Sequence, residues 1–331
     1  MKAKFRILSI LMCMLTSHLV CATPHVIAHR GAPGYLPEHT LESATLAYAQ
    51  GADFIEQDLV LSKDHKLVVL HDIHLETVTN VEQVFPSRKR TDGRYYALDF
   101  TLAELKTLKV HERQDSAGQQ VFKHRYQGTA SFSIATFEEH IELINQLNRQ
   151  FSKNIGLYPE IKSPAWHKAQ GADISKIVLA TLRKYQLDDA RKAIYVQCFD
   201  FAETQRLRKE LGAKVKLVQL IAENEWQEAP TDFNILKTEE GVKQISKVAQ
   251  GIGPWLPHVI NTSTTLPTGY VKLAHQHGLT VHPYTFRQDN LPKGISSQQL
   301  LALLFDEIKV DGIFTDFPDT IVDYLEKSHS Q

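Results

Sequence analysis

A regular alternation of strand-like and helix-like segments is the feature that most constrains how this chain can fold. Short runs rich in β-branched and aromatic residues are separated by segments whose apolar residues recur every three or four positions. This order favours parallel strands, because each parallel crossover needs a long connection, which is usually a helix. The predicted strands are residues 25–29, 54–60, 155–161, 194–199, 215–220, 251–255, 279–285 and 311–315.

Eight strands in this order predict an α/β fold of the (β/α)8 TIM-barrel type. A doubly wound open sheet is the alternative, but no G-x-G-x-x-G motif follows the first strand. Thr136 is the expected N-cap of the first helix after residue 130. The predicted helices are residues 40–50, 136–149, 175–185, 201–211, 242–249, 271–277 and 297–308.

Residues 73 to about 130 break the alternation. They contain a basic cluster at residues 88–90 and several turn signals, with only one short helical pattern near residues 102–108. We therefore predict a single TIM-barrel domain over residues 23–331, with an insertion after the hairpin of the second strand that is long enough to form a small cap. The basic cluster is expected to be a solvated face.

The first 22 residues have the features of a secretory signal peptide. Three basic residues within the first six positions precede an apolar run at residues 7–14. The residues before a cleavage point after Ala22 are small or of a type that signal-peptide cleavage sites tolerate. The mature protein is thus expected in the periplasm or outside the cell. The apolar run is shorter than the ~20 residues of a membrane span. Lipidation at Cys21 stays an alternative, although Val20 fits a lipobox poorly.

The overall charge limits the class of partner. The formal net charge is −1 and there is no basic run typical of nucleic-acid binding. A small-molecule partner is expected, without a stable membrane span, and the oligomeric state is left open, a dimer included. Removal of the signal peptide would leave Cys198 as the last cysteine, so no internal disulfide is expected. We interpret Cys198 as a small buried residue rather than a nucleophile.

Two carboxylates on the second predicted strand indicate a cation site. Glu56 and Asp58 share one face of that strand, because alternate residues point the same way. Two buried carboxylates repel each other and lose hydration unless a cation lies between them. A two-residue loop between Lys63 and Lys66 would pair Asp58 with His71 across the hairpin.

The barrel prediction can be tested by the residues at the carboxyl ends of the strands, where barrel active sites lie. The expected rim includes the carboxylates of Glu56, Asp58 and Glu160, the histidines His29 and His71, and the cations Arg30 and Lys162. Oxygen ligands without a histidine–cysteine set favour Ca²⁺ or Mg²⁺ over zinc, and Arg30 and Lys162 would offset the negative charge and hold an anion such as a phosphate. The residues expected at this rim are His29, Arg30, Glu56, Asp58, His71, Glu160, Lys162, Gln197, Tyr284, Phe286, Arg287, Thr315 and Asp316.

At these positions the chain resembles the glycerophosphodiester phosphodiesterase family. Tyr284 and Arg287 stand where much of that family has Trp and Asn, a difference that concerns headgroup contacts. Two stretches, residues 92–100 and 281–287, resemble the periplasmic branch in particular. The ordered motifs that carry the resemblance are His29-Arg30-Gly31, Pro37-Glu38-His39-Thr40, Glu56-x-Asp58, His71-Asp72, Pro159-Glu160-Ile161-Lys162 and residues 311–318.

The resemblance implies a TIM barrel with an inserted segment and a divalent cation, Ca²⁺ in this branch, on Glu56, Asp58 and Glu160. It implies acid and base roles for His29 and His71. Substrates would be deacylated phospholipids such as glycerophosphocholine or glycerophosphoethanolamine, which would yield an alcohol and glycerol 3-phosphate. A cyclic phosphate is the expected intermediate. The substrate phosphate is expected on Arg30 and Lys162, and the rest of the pocket on Gln197, Tyr284 and Phe286.

Two other functions compete with this interpretation. An exported protein that binds phosphodiesters without cleaving them would also use a cation and basic residues, but the paired histidines favour catalysis. A phospholipase acting on intact lipids would need an exposed apolar rim, and the insertion is too polar to indicate one.

Overall fold

The computed structural model describes residues 23–329, and the predicted signal peptide, residues 1–22, lies outside them. Within the described residues, eight parallel strands form one sheet in the order β10-β7-β6-β5-β4-β2-β1-β11, and β3 pairs antiparallel with β2. The strands of this sheet are β1 (His25–Ala28), β2 (Phe54–Leu61), β3 (Leu67–Val69), β4 (Gly156–Ile161), β5 (Tyr195–Cys198), β6 (Lys216–Ile221), β7 (Gly251–Pro254), β10 (Thr280–Val281) and β11 (Gly312–Thr315). A separate short hairpin consists of β8 (Ile260–Asn261) and β9 (Leu266–Pro267).

The two edges of this sheet meet through the segment that follows β10. The backbone N–H of Phe314 donates to the carbonyl of Pro283, and the N–H of Phe286 donates to the carbonyl of Phe314. Phe286 also forms a parallel bridge with Thr315. The sheet is therefore a nearly closed parallel barrel, which confirms the predicted TIM-barrel fold and excludes the open doubly wound sheet.

The helices pack around the barrel largely where the hydrophobic pattern predicts them. Thr136 caps α4 in a capping box, with its hydroxyl accepting from the N–H of Glu139 while the Glu139 carboxylate accepts from the N–H of Thr136. The helices are α1 (Leu41–Ala49), α2 (Val81–Val84), α3 (Leu102–Leu105), α4 (Phe137–Phe151), α5 (Pro164–Ala169), α6 (Ile174–Lys184), α7 (Phe201–Lys209), α8 (Phe233–Leu236), α9 (Glu239–Ser246), α10 (Leu256–Val259), α11 (Tyr270–Gln276), α12 (Ser297–Ala302) and α13 (Pro318–His329).

Two elements differ from their predicted form. The strand predicted over residues 279–285 is regular only at Thr280–Val281, after which Tyr284 forms a single bridge to Trp255. The helix predicted over residues 297–308 ends as α-helix at Ala302 and continues as a π-helical turn.

The hairpin after β2 has a different register from the predicted one. Leu59 pairs with Val69 and Leu61 pairs with Leu67, so the loop has three residues rather than two. His65 takes the left-handed conformation at φ 56° that such a loop needs. The N–H of Leu70 donates to the carbonyl of Asp58. Asp58 is therefore not paired with His71, and that prediction was wrong because one extra loop residue shifts every later pair.

The apolar core has an inner and an outer part. Inside the barrel, a layer of buried side chains is centred on Tyr158, Phe54 and Phe314. A much larger set packs between the strands and the helices, and it includes Cys198, which is buried and unpaired as predicted. None of the helices in the described part of the chain is long and apolar enough to cross a bilayer.

The insertion, residues 73–130, has apolar packing of its own. Leu75, Tyr95 and Phe100 belong to a cluster that also contains Val60 and Val68 of the β2–β3 hairpin. This contact anchors the segment on the hairpin and so beside the carboxyl ends of the barrel strands.

Candidate active site

A cavity of about 210 Å³ opens at the carboxyl ends of the strands. One side is polar and the other is largely aromatic. The polar side chains that line it are His29, Arg30, Glu56, Asp58, His71, Glu160, Gln197, Thr285 and Arg287, and the apolar and aromatic ones are Phe199, Leu220, Trp226, Trp255, Tyr284 and Phe314.

Three buried carboxylates lie on the polar side because β2 and β4 are neighbours. Asp58 pairs with Glu160 in the β2–β4 register, and Glu56 lies two residues before Asp58 on the same face. Burial, aided by the charge of Asp58, raises the pKa of Glu56 well above its usual range. Burial also raises the pKa of Glu160. The positive charge near these carboxylates is therefore too small to keep all of them ionised at once.

Asp58 shows the opposite shift. Although burial favours its neutral form, the charges of His71 and Lys162 hold its pKa well below the usual range. Its Oδ2 atom lies 2.7 Å from His39 Nε2. Its Oδ1 atom is buried without a hydrogen-bond partner among the described residues. A buried carboxylate oxygen without a partner is costly, and a bound cation would satisfy it.

One group of side chains in the described part of the chain can hold a metal ion. Ligand atoms of His39, Glu56 and Asp58 all lie within 4.8 Å of one another. Two carboxylates with one imidazole fit a divalent cation, and the high pKa of Glu56 is the electrostatic sign of a missing positive charge. Glu160, predicted as the third ligand, is outside this triad, and its Oε1 accepts from Lys162 Nζ at 2.9 Å.

His39 is a polar residue near the cation site that the sequence prediction missed. It stands in the Pro37–Thr40 motif, immediately before α1, where it takes a left-handed φ of 62°. That conformation turns it from the helix start towards Asp58. The motif could have indicated a role for His39. The local pattern could not, because a histidine just before a helix has no distinguishing periodicity.

The two predicted phosphate-binding cations differ in position. Arg30 lines the cavity, its backbone N–H donates to Glu56 Oε2 at 2.6 Å, and its guanidinium donates to Glu38 at 3.1 Å. Lys162 is outside the lining set of described residues. It is buried between Glu160 and Glu228, to which it donates at 2.9 and 3.0 Å.

Each of the two predicted acid/base histidines is hydrogen-bonded to an aspartate. His29 Nδ1 lies 2.6 Å from Asp316 Oδ1, and His71 Nδ1 lies 2.7 Å from Asp72 Oδ1. Burial, with the charge of Arg30, lowers the pKa of His29 to about 3 and also lowers the pKa of His71. Since an aspartate accepts at Nδ1, the Nε2 atom of each ring is left for a ligand.

The aromatic side of the cavity contains one predicted pocket residue but not another. Tyr284 lines the cavity, and its hydroxyl donates to the carbonyl of Ile221 at 2.9 Å. Phe286 is fully buried in the outer core instead. The prediction that Phe286 faces the cavity was wrong, because regular strand alternation stops after Val281. Gln197 lines the cavity, and its Nε2 donates to Glu56 Oε1 at 3.2 Å.

Comparison with known proteins agrees with this geometry. Residues 29–320 match the Glycerophosphoryl diester phosphodiesterase family. The chain is 41% identical over 325 residues to a glycerophosphodiester phosphodiesterase of Haemophilus influenzae, which covers 91% of this chain and 89% of that protein. It is 36% identical over 334 residues to a glycerophosphodiester phosphodiesterase of Treponema pallidum, with 93% of each chain covered.

Solved structures share the barrel. A Silicibacter pomeroyi protein assigned by name to glycerophosphoryl diester phosphodiesterase superposes with a TM-score of 0.71 at 24% identity, over 93% of this chain and 94% of that one. An Oleispira antarctica phosphodiesterase, solved with its product sn-glycerol-3-phosphate, superposes with a TM-score of 0.63 at 22% identity, over 92% and 97%. The chain therefore belongs to the glycerophosphoryl diester phosphodiesterase family and is an enzyme of that class.

Proposed function

We propose that this enzyme hydrolyses glycerophosphodiesters such as glycerophosphocholine or glycerophosphoethanolamine to glycerol 3-phosphate and an alcohol. The observation that carries the proposal is the pair of histidines, His29 and His71, at one cavity with the carboxylates Glu56 and Asp58. Each histidine has an aspartate at Nδ1, which orients the ring and leaves Nε2 for proton transfer. The names of the Haemophilus and Treponema relatives and the product in the Oleispira structure support the same substrate class.

A divalent cation, which we propose to be Ca²⁺ with Mg²⁺ as the alternative, would be held by Glu56 and Asp58. His39 and Glu160 complete the donor groups on this side of the cavity. When bound, such a cation lowers the pKa of a hydroxyl that it contacts and offsets phosphate charge. The surplus of buried carboxylates and the unpartnered Asp58 Oδ1 within the described residues support this assignment.

The side chains of the enzyme perform the proton transfers. One histidine accepts the proton of the free glycerol hydroxyl next to the phosphodiester as that oxygen forms a bond to phosphorus. The other histidine, whose protonated form a bound phosphodiester anion would favour, donates its Nε2 proton to the leaving alcohol oxygen as the bond from that oxygen to phosphorus breaks. The product of this step is a cyclic glycerol phosphate. Water then adds to phosphorus, the histidines exchange roles, and the ring opens to glycerol 3-phosphate.

Arg30 holds the charge that develops on the phosphoryl oxygens. It lines the cavity and is buried, so its interaction with an anion is little screened by water. Lys162 is paired with Glu160 and Glu228, and these contacts hold Glu160 in place. Lys162 would bind the phosphate only if it exchanged one of these carboxylates for a phosphate oxygen. Export to the periplasm or beyond the cell is part of the proposal and rests on the signal-peptide pattern of residues 1–22.

The direct test incubates the protein with glycerophosphocholine and follows glycerol 3-phosphate, first with Ca²⁺, then with a chelator, then with Ca²⁺ restored. We expect release that stops on chelation and returns with Ca²⁺. A matched control without the free glycerol hydroxyls, such as a dialkyl phosphate, should not react. Binding of glycerophosphocholine without release under any divalent cation would favour the non-catalytic binding protein instead.

A further inference from the structure

Two arginines of the insertion reach the aspartates that orient the two histidines. We propose that Arg113 and Arg125 are positioning residues, through which the docked insertion completes both acid/base pairs. This inference rests on the proposed function, because it assigns a purpose to side chains around the same reaction. It gives the insertion a task in catalysis.

The first connection begins at His71. Its Nδ1 contacts Asp72 Oδ1, and Asp72 Oδ2 accepts from Arg113 Nη1 at 2.7 Å. Thr77, also in the insertion, donates its hydroxyl to the same Oδ2 atom at 3.1 Å. Arg113 donates in addition to both oxygens of Glu38, at 2.6 and 3.0 Å.

The second connection begins at His29 and has the same construction. Its Nδ1 contacts Asp316 Oδ1, and Asp316 Oδ2 accepts from Arg125 Nη2 at 2.7 Å. Arg287, from the barrel, donates to the same oxygen at 2.7 Å. Arg125 is also paired with Asp289 at 2.9 Å, so it joins the insertion to two loops of the barrel.

The ordinary behaviour of buried aspartates explains why these arginines matter. Burial favours the neutral form of an aspartate, and a neutral carboxyl is a poorer acceptor for the Nδ1–H of a histidine. The pKa of Asp72 is well below its usual range despite burial, because of the charges and hydrogen bonds of His71 and Arg113. The pKa of Asp316 is also well below its usual range, because of Arg287, His29 and Arg125. An ionised aspartate fixes the ring orientation and leaves Nε2 towards the cavity.

These two ion pairs differ from others in the same segment. The side chains of Arg113 and Arg125 are 16% and 3% exposed. Arg90, in contrast, is 31% exposed, pairs with Asp99 at 2.7 Å and lies over the ring of Tyr96, away from either histidine. An exposed pair of that kind contributes little to stability, whereas a buried bridging arginine constrains its partners. Arg90 is therefore a matched control within the insertion.

The test compares Arg113→Met, Arg125→Met and the control Arg90→Met with the wild type in glycerophosphocholine hydrolysis. We expect kcat to fall by about 10–100-fold in the first two variants, the usual range when the partner of a ligand or orienting group is removed. KM and the Ca²⁺ concentration for half-maximal rate should stay within about threefold, and Arg90→Met should keep kcat within about twofold. Losses of the same size in all three variants, or none in the first two, would overturn the proposal.

Conservative variants keep the test valid if the methionine variants do not fold. Arg113→Lys and Arg125→Lys retain the charge but not the planar fork, so we expect part of the lost kcat to return. No difference between lysine and methionine at both positions, in variants with wild-type circular dichroism, would contradict positioning through charge. Inactivity of the wild type itself would instead refute the proposed function, so the two failures are distinguishable.

The leaving group supplies a readout that general loss of structure would not change. A p-nitrophenyl ester of glycerol phosphate needs no protonation of its leaving oxygen, so the variant that disturbs the general acid should lose less activity with it than with glycerophosphocholine. The variant that disturbs the base should lose equally with both substrates. If each variant lost the same activity with both substrates, neither arginine would act through the general acid. If one variant lost less activity with the p-nitrophenyl ester, the histidine connected to that arginine would be the general acid.

Discussion

The interior of the barrel has two layers that differ in chemistry although the same strands build them. In the lower layer, Phe54 of β2, Tyr158 of β4 and Tyr195 of β5 are in ring contact, with the two tyrosines stacked at 4.9 Å between centroids. Two residues further along β2 and β4 the same face carries Glu56 and Glu160. Because alternate residues of a strand share a face, β2 and β4 each contribute side chains to both layers.

The polar groups of the lower layer are neutral. The Tyr158 hydroxyl lies 2.9 Å from His282 Nδ1, and both residues are fully buried. Burial, with the charge of His25, lowers the pKa of His282 to about 3, so the ring is neutral at ordinary pH. This layer adds packing and no net charge, which is typical of a part of the barrel that serves stability.

The upper layer instead concentrates buried charge. Glu56 and Glu160 have raised pKa values because burial and like charges disfavour ionisation. Such groups weaken a fold unless a ligand compensates them. In the proposed function, the upper layer would receive a cation and an anionic substrate, and the lower layer would supply the stability that offsets its buried carboxylates.

The largest effect should come from the histidines of the upper layer. We expect His29→Ala or His71→Ala to lower kcat by about 10²–10⁴-fold, the usual contribution of one acid/base group, while the fold stays intact. Steady-state kinetics with glycerophosphocholine, alongside circular dichroism, would measure both properties. Wild-type-like activity in either variant would remove that histidine from the mechanism.

The lower layer should behave in the reverse way. Phe54→Ala removes a ring that is 5% exposed and contacts two tyrosines, so the free energy of unfolding should fall by about 3–5 kcal/mol. The kcat of the folded fraction should stay within a few-fold of the wild type. Urea unfolding and active-site-normalised rates would check this. A large loss of kcat without loss of stability would break the division between the layers.

A buried carboxyl group of the insertion, that of Glu112, should make the stability of the protein depend on pH. Glu112 Oε2 is buried without a partner among the described residues, and burial, with the charge of Glu38, raises the Glu112 pKa from 4.5 to about 8. A raised acid pKa means that the folded chain binds the proton more tightly than the unfolded chain. Stability is therefore lost progressively as the pH rises from about 4.5 to 8 and no further above it.

Glu112→Gln removes this dependence because the amide does not ionise. Relative to the wild type, the variant should gain on the order of 3 kcal/mol in free energy of unfolding between pH 5 and pH 8. Urea unfolding at a series of pH values would measure the difference. A difference that is constant with pH would show that Glu112 is ionised in the folded protein.

The smallest effect is expected where the sequence prediction was wrong. Phe286 is packed in the outer core, so Phe286→Leu should change stability by less than about 1.5 kcal/mol and leave KM unchanged. Tyr284→Leu, which alters the cavity wall, should raise KM. Equal KM values for the two variants would mean that Tyr284 makes no substrate contact.

The strands and the main site residues could be predicted because they depend on local patterns. Period-two alternation places Glu56 and Asp58 on one face, and the carboxyl ends of parallel strands meet at one rim. The predicted pairing of Asp58 with His71 was wrong because the loop has one more residue than predicted. Its length depends on the left-handed backbone conformation of His65, which no periodicity in the sequence indicates. His39 was missed because its contact depends on a backbone turn before α1.

The arginines of the insertion were beyond reach for a different reason. Arg113 contacts Glu38 across 75 residues of sequence, and Arg125 contacts Asp316 across 191. Neither pair lies within one element or between strands of known register. The docking of an irregular segment is set by its tertiary packing on the hairpin, which the sequence pattern does not specify.

The central claim, that the upper layer is assembled around a divalent cation, can be tested by unfolding alone. Urea unfolding of the wild type, Glu56→Gln and the lower-layer control Phe54→Leu would be measured with and without Ca²⁺. At a Ca²⁺ concentration of about 100 times the dissociation constant, the wild type and Phe54→Leu should each gain about 2.7 kcal/mol, and Glu56→Gln less than half of that. An equal gain in all three proteins, or no gain in the wild type, would contradict the account.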